Sequence, residues 1–207
     1  MTRASDPAAV APAGAKAGLK RMNSRLPQLL DRAAAVFAER GFAGASVREI
    51  VGPIGMLPGS LYSHFPTKER LLVAVYREGV DRISRVVDEA IAKESDPWAR
   101  LQAACVAHLT SLLDKTSYSQ VVIRVRPSDA PSAAEELIAL RNDYESRFTA
   151  LVDALELPRN VDSRDFRLLL VGALNWSQTW YRPSGNRKPA DIARRFVQIL
   201  KTGIADH

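Results

Sequence analysis

From Ser24 onward apolar residues recur at intervals of three and four: Leu26, Leu29, Leu30, Ala33 and Phe37 share one face, with Arg25, Gln28, Arg32 and Arg40 between them. That spacing predicts a first helix over about 24–40. Pro27 lies near its start, where a missing N–H costs little, and Gly41 lies where a left-handed residue closes a helix. Ser46 followed by Glu49 has the spacing of a capping box and opens a second helix, which Gly52, Pro53 and Gly55 stop early. Pro58 suits the first turn of a third short helix through SLYSHF, and Pro66 ends it near His64. Thr67 then caps a long helix whose stripe of Leu71, Leu72, Val75, Val80, Ile83, Val86, Val87 and Ile91 runs to about Lys93.

Breaks at Asp96-Pro97, Pro127 to Pro131, Pro158 and Pro183 to Pro189 separate further helical patterns at about 98–114, 118–125, 132–156, 163–181 and 189–203. Apart from the short SQVVIRVR, nothing alternates with period two, so the predicted fold class is all-α. Two very short helices around a glycine turn, placed after a longer one, outline a helix-turn-helix. Residues 1–22 lack apolar periodicity and read as a mobile basic tail; residues 23–69 read as a small three-helix head, and 70–207 as a larger helical domain.

Charge sharpens this division. The net charge is 29 minus 23, or +6. Residues 1–70 hold ten Lys and Arg against five Asp and Glu, a balance of +5, whereas residues 71–207 hold nineteen against eighteen, only +1. The basic excess thus belongs to the head and its tail, where a polyanion would dock. No apolar run approaches the roughly 20 residues that cross a bilayer, and the N-terminus has no secretory core, so a cytoplasmic location is expected.

Little here suits catalysis. The histidines are His64, His108 and His207, and there is no glycine-rich phosphate loop, no G-x-S-x-G and no histidine pair at metal spacing. Cys105 and His108 lie three apart on one helix face without a third group, and Cys105 reads as a small buried hydrophobe. Neither a catalytic residue, a metal nor a cofactor is expected.

The informative chemistry lies in SLYSHFPTKERLL, residues 60–72. The small residues Gly59 and Ser60 let a helix N-terminus approach a groove closely, while the hydroxyl of Tyr62, the imidazole of His64 and the ammonium of Lys68 are placed to donate to phosphate oxygens. The bland alternatives are a Tyr62 ring packed on Phe37 and a His64 that merely ends its helix. Ile50, Leu61 and Phe65 fit the core of the head.

The run SVREIVGPIGMLPGSLYSHFPTKERLL, residues 46–72, resembles the N-terminal DNA-binding domain of the TetR family of transcriptional regulators. Ser46, Ile50, Gly55, Leu61, Tyr62, His64, Phe65, Lys68 and Leu71 match its pattern in order and spacing. The resemblance implies a helix-turn-helix head and a larger helical domain for ligand binding and dimerisation. It places Ser46, Val47, Arg48, Leu57, Pro58, Gly59, Ser60, Tyr62, His64 and Lys68 against DNA. Two departures stand out: Gly52-Pro53 replaces ordinary helix formers, and Leu57 occupies the position where Ser or Thr normally caps the recognition helix. Leu57 is accordingly expected to touch a thymine methyl where a hydroxyl would otherwise donate a hydrogen bond.

For the larger domain the resemblance implies a homodimer through the last two helices, with Phe166, Leu169, Leu170, Ala173 and Trp176 of one and Ile192, Phe196, Ile199 and Leu200 of the other at the interface. Pocket candidates are His108, Leu112, Tyr118, Arg124, Phe148, Asn175 and Trp176, the polar or aromatic groups on otherwise apolar helices. NWSQTWYRPSGNRKPADIARRF, residues 175–196, is similar to regulators of steroid and fatty-acid breakdown that respond to acyl-CoA thioesters. The implied function is a dimeric repressor released from a near-palindromic operator by a small molecule. Its alternative is a helical ligand-binding dimer with a degenerate DNA-binding head.

Overall fold

The computed structural model describes residues 25–205; the basic tail expected over 1–22 lies outside them. Among the described residues there are nine α-helices and no strand. The head comprises α1 (Leu26–Gly44), α2 (Val47–Val51) and α3 (Pro58–Tyr62). The long α4 (Lys68–Ile91) leads to α5 (Pro97–Leu113), α6 (Ser117–Arg124), α7 (Ala134–Asp153), α8 (Ser163–Trp180) and α9 (Pro189–Ala205).

Side-chain caps fix most of the starts. Thr67, Asp96, Thr116 and Asp162 each accept a hydrogen bond from the backbone N–H three residues on, which satisfies one of the free donors of a helix N-terminus. Gly41 takes φ 69°, as expected of a closing residue, and one further turn carries Phe42 back onto the Phe37 ring at 5.9 Å. The alternating SQVVIRVR is helical as far as Arg124, because Val121 faces the head while Val122 and Ile123 face a cavity, so apolar groups are wanted on two sides.

The core divides along α4. Leu71, Leu72, Val75, Tyr76 and Val80 join Leu29, Phe37, Ile50 and Leu61 of the head, together with Tyr118, Val121, Val125, Ala133 and Leu137. Ile83 and Val87, one turn and two turns further on, join Leu101, Leu109, Phe148, Leu170, Leu174 and Val197. The head expected to end at residue 69 therefore shares its core with α6 and the start of α7. Each of these fully buried Leu or Phe side chains stabilises the fold by roughly 1.5–3 kcal/mol through apolar burial.

Gly79 sets how closely α4 and α6 cross. A Cβ there would lie 2.8 Å from Val122 Cγ2 and 3.2 Å from the Tyr118 carbonyl oxygen, so only a bare α-carbon fits.

Candidate nucleic-acid interface and effector cavity

The turn between α2 and α3 is built from both termini. The Ser46 hydroxyl donates to Glu49 Oε2 at 2.7 Å and accepts from the Glu49 N–H at 3.3 Å, and the Ser46 N–H donates to Glu49 Oε2 at 3.0 Å. The Ser46 hydroxyl, followed by the Ser46 N–H, holds the Glu49 carboxyl below its ordinary pKa, because the ionised form accepts these bonds more strongly than the neutral acid. Ser46 was expected beside a phosphate; its hydroxyl proton is committed to the cap.

Pro53 shortens α2 as expected, yet the chain does not unravel. It tightens into a 3-10 turn over Gly52–Ile54, Gly55 turns left-handed at φ 63°, and the Met56 N–H closes back on the Val51 carbonyl at 3.0 Å. Met56 is buried behind the turn, which aims α3 outward. Of the two departures that motivate a degenerate head, Pro53 leaves the turn intact, while Leu57 does leave α3 without a side-chain cap.

No side chain caps α3, but Pro58 at its first position needs no partner, and the Leu57 carbonyl accepts from Ser60 N at 3.0 Å and Leu61 N at 3.3 Å. Leu61 anchors the helix in the core. Leu57 is 74% exposed at the leading end, beside exposed Gly59, with Pro58 and Ser60 half-buried. Tyr62 is 46% exposed and His64 half-buried, while Arg48 on α2 is exposed and Val47 half-buried. Arg48, Leu57, Gly59 and Tyr62 thus present their side chains or backbone to solvent on the turn and its two flanking helices.

Lys68, expected at a phosphate, uses two of its three N–H bonds within the head. Its ammonium donates to the Phe42 carbonyl at 2.9 Å and the Ala45 carbonyl at 3.0 Å, and lies 4.4 Å from the Phe42 ring centroid. These bonds end α1 against α4. The half-buried lysine is thereby a staple of the head, because carbonyls at a helix end lack intrahelical donors.

Between the two cores lies a cavity of about 230 Å³. Its apolar wall includes Val80, Ile83, Leu112, Val122 and Val171, and its polar lining includes His108, Asn175, Tyr76, Tyr144, Arg126 and Arg141. The expected His108, Leu112 and Asn175 are here. The other pocket candidates are not. Tyr118 faces the head, where its hydroxyl donates to Asp31; Arg124 donates to the Ala38 carbonyl at 3.1 Å; Phe148 is core, edge-on to His108; and Trp176 points outward, 68% exposed. Each sits on a helix that reaches the cavity, but on another face of it. Tyr144, Arg126 and Arg141 were missed because polar residues on an otherwise polar stretch give no periodic signal.

The expected dimer residues also divide. Phe166, Leu170 and Ile192 fill the chain's own core and are not open to a partner; Ala173 and Phe196 are half-buried, and Ile199 is exposed. The open apolar face of α8 and α9 consists of Leu169, Trp176, Trp180 and Ile199, with the Trp180 ring 6.4 Å from that of Phe196.

This head-plus-cavity arrangement matches known proteins over nearly its whole length. The model described as "Bacterial regulatory proteins, tetR family" matches residues 29–75, and "Tetracyclin repressor-like, C-terminal domain" matches residues 94–204. The chain belongs to the TetR family. Among its TetR relatives, the HTH-type transcriptional repressor KstR2 of Mycobacterium tuberculosis is 28% identical over 193 residues, covering 89% of this chain and 94% of that protein. The HTH-type transcriptional activator FasR of Mycolicibacterium smegmatis is 29% identical, covering 75% and 73%. The solved structure of AibR in complex with isovaleryl coenzyme A and operator DNA superposes with a TM-score of 0.71 at 24% identity, covering 85% of this chain and 97% of that one. As a TetR-family chain this is a DNA-binding transcriptional regulator. No described helix is long and apolar enough to cross a membrane.

Proposed function

We propose that this regulator is a homodimeric repressor whose operator affinity is lowered when an acyl-CoA thioester enters the cavity between the two cores. The observation that carries the reading is the double role of α6. Val122 and Ile123 line the cavity, and Tyr118 and Val121, on the same eight-residue helix, pack on the head. A ligand that fits better when α6 shifts moves the head with it, and DNA affinity then changes by the ligand's differential affinity for the two states.

Several features support the details. A cavity of about 230 Å³ is small beside the roughly 300–1,000 Å³ of common ligand sites, so a short acyl group would sit inside and a bulky polar remainder outside. Arg126 and Arg141 are exposed lining residues, suited to an anionic remainder. Leu169, Trp176, Trp180 and Ile199 form an apolar face on two terminal helices, suited to a second copy in a four-helix contact. In a dimer of this kind the two copies of α3 lie about 34–36 Å apart and enter successive major grooves. Arg48, Tyr62 and His64 would donate to phosphates, with the α3 N-terminus at the base edges.

The test is fluorescence anisotropy on duplexes tiling the promoter beside the chain's own coding region, at 50 and 200 mM salt, with and without an acyl-CoA series. Tight, salt-dependent binding relieved by one acyl length is expected. Absence of binding at low salt without ligand removes the repressor reading, and binding that an acyl-CoA strengthens reverses its sign.

A further inference from the structure

Tyr144 on α7, His108 on α5 and Asn175 on α8 form one continuous hydrogen-bonded chain. His108 Nδ1 lies 2.7 Å from the Tyr144 hydroxyl, and His108 Nε2 lies 3.0 Å from Asn175 Oδ1. The imidazole is enclosed by the Tyr144 and Phe148 rings, with centroids at 5.8 Å and 5.5 Å. Burial lowers its pKa to about 4, so it is neutral near pH 7 and donates from one nitrogen only.

The direction of the chain follows from its ends. Asn175 Oδ1 can only accept, so the single hydrogen of the neutral imidazole sits on Nε2 and goes to it. Nδ1 is then the acceptor, and the Tyr144 hydroxyl donates to it. The amide oxygen is used up. The amide nitrogen of Asn175 has no acceptor among the described residues and is not a sealed atom, since no buried side-chain polar atom there is left unpaired; with Asn175 in the cavity lining, its N–H bonds are free to meet a ligand.

We propose that this ordered chain makes the cavity selective for an uncharged carbonyl oxygen, as in a thioester or ketone, held by the Asn175 amide nitrogen. The inference deepens the effector reading above and rests on the same cavity. At the amide itself an ammonium would meet donors with its own donors, and its carboxylate partner in the lining is Glu145. A carboxylate there would face a neutral imidazole, its cationic partners in the lining being the exposed Arg126 and Arg141. A carbonyl needs what the amide offers, and the three helices hold that amide from the far side.

Two measurements test this on the intact chain. Long-range 1H–15N correlation spectra of the wild type, assigned against His108→Gln, report the tautomer of His108 directly. The Nε2–H form is expected, and the Nδ1–H form overturns the proposal whether or not any ligand binds. In titrations with isobutyryl-, isovaleryl- and octanoyl-CoA, each beside the S-alkyl thioether in which CH2 replaces the carbonyl, the best thioester should bind about tenfold more tightly than its thioether. The advantage should vanish in Asn175→Ala. Equal binding of thioester and thioether to the wild type sinks the carbonyl inference and leaves the acyl-CoA reading standing. If neither binds at all, the acyl-CoA reading fails, and the tautomer still decides the hydrogen-bond order.

Discussion

The Tyr118 hydroxyl donates to Asp31 Oδ1 at 2.9 Å, joining α6 to α1 across 87 residues of sequence. Arg82 of α4 completes the contact: its guanidinium lies 4.0 Å from the Tyr118 ring centroid and 3.7 Å from Asp31, and its Nε donates to Glu78 at 2.7 Å. Burial, followed by the bond to Asp31, raises the Tyr118 pKa, so the phenol stays protonated and the donor is always available. Tyr118→Phe removes the bond but keeps the ring. It should cost about 1–2 kcal/mol of folding stability in urea denaturation, less than a fully buried bond to a charge because water can reach the freed carboxylate. If α6 carries the effector signal, the same variant should also blunt effector release of DNA in anisotropy titrations, and full retention of release would argue against that route.

Lys68 offers a clean separation of a structural from a DNA-contacting cation. Lys68→Met leaves two carbonyls at the α1 terminus without a donor, and should destabilise the fold by about 1–3 kcal/mol in thermal or urea melts. The slope of log affinity against log salt should nevertheless match the wild type, because a lost phosphate contact would shallow it by about 0.9. Arg48→Ala should do the reverse, shallowing the slope with stability changed by less than about 0.5 kcal/mol.

Leu57 spends helix stability at an exposed position, since Ser or Thr there would cap α3 and gain about 1 kcal/mol. Leu57→Ser should therefore stabilise the chain slightly and yet weaken binding to a duplex selected by the wild type from a randomised pool. Replacing one thymine per half-site by deoxyuridine, which lacks the 5-methyl group, should weaken wild-type binding by about three- to tenfold and leave Leu57→Ser unaffected. A selected sequence at which no thymine couples to residue 57 would refute the methyl contact.

His108 predicts a pH dependence with a definite sign. Its native pKa is lowered to about 4 by burial, from an ordinary 6.5. The unfolded chain therefore takes up a proton below about pH 6.5 that the native chain refuses, and stability falls as pH drops from there toward 4. For one group shifted this far the loss is about 3 kcal/mol at pH 4, levelling off below it. In His108→Gln that part of the slope should vanish from denaturation curves measured between pH 7 and 4.

Much of the molecule was readable from local rules. The Ser46 and Glu49 capping box, the Thr67 cap, the closing glycine at Gly41 and the shortening of α2 by Pro53 all depend on residues within a few positions of one another. The family followed for the same reason, since the head is a compact run of such signals. The ligand and dimer residues were read less well. Tyr118 and Phe148 are polar or aromatic groups on apolar helices, as a pocket residue would be, yet one faces the head and the other the core. Phe166, Leu170 and Ile192 have interface periodicity and lie inside their own protomer.

The sequence by itself determined the helices, their ends and the exposed turn of the head, because hydrogen bonds from i to i+3 or i+4 and apolar periodicity act along the chain. Tertiary structure alone decided which apolar face meets which. It turned Lys68 inward onto two carbonyls, split the core along α4, placed α6 between the cavity and the head, and brought Tyr144, His108 and Asn175 into one chain across separations of 36 and 67 residues. Amphipathic patterns specify that a face is buried and leave its partner open, and the partner is fixed only when all nine described helices compete for the same interior.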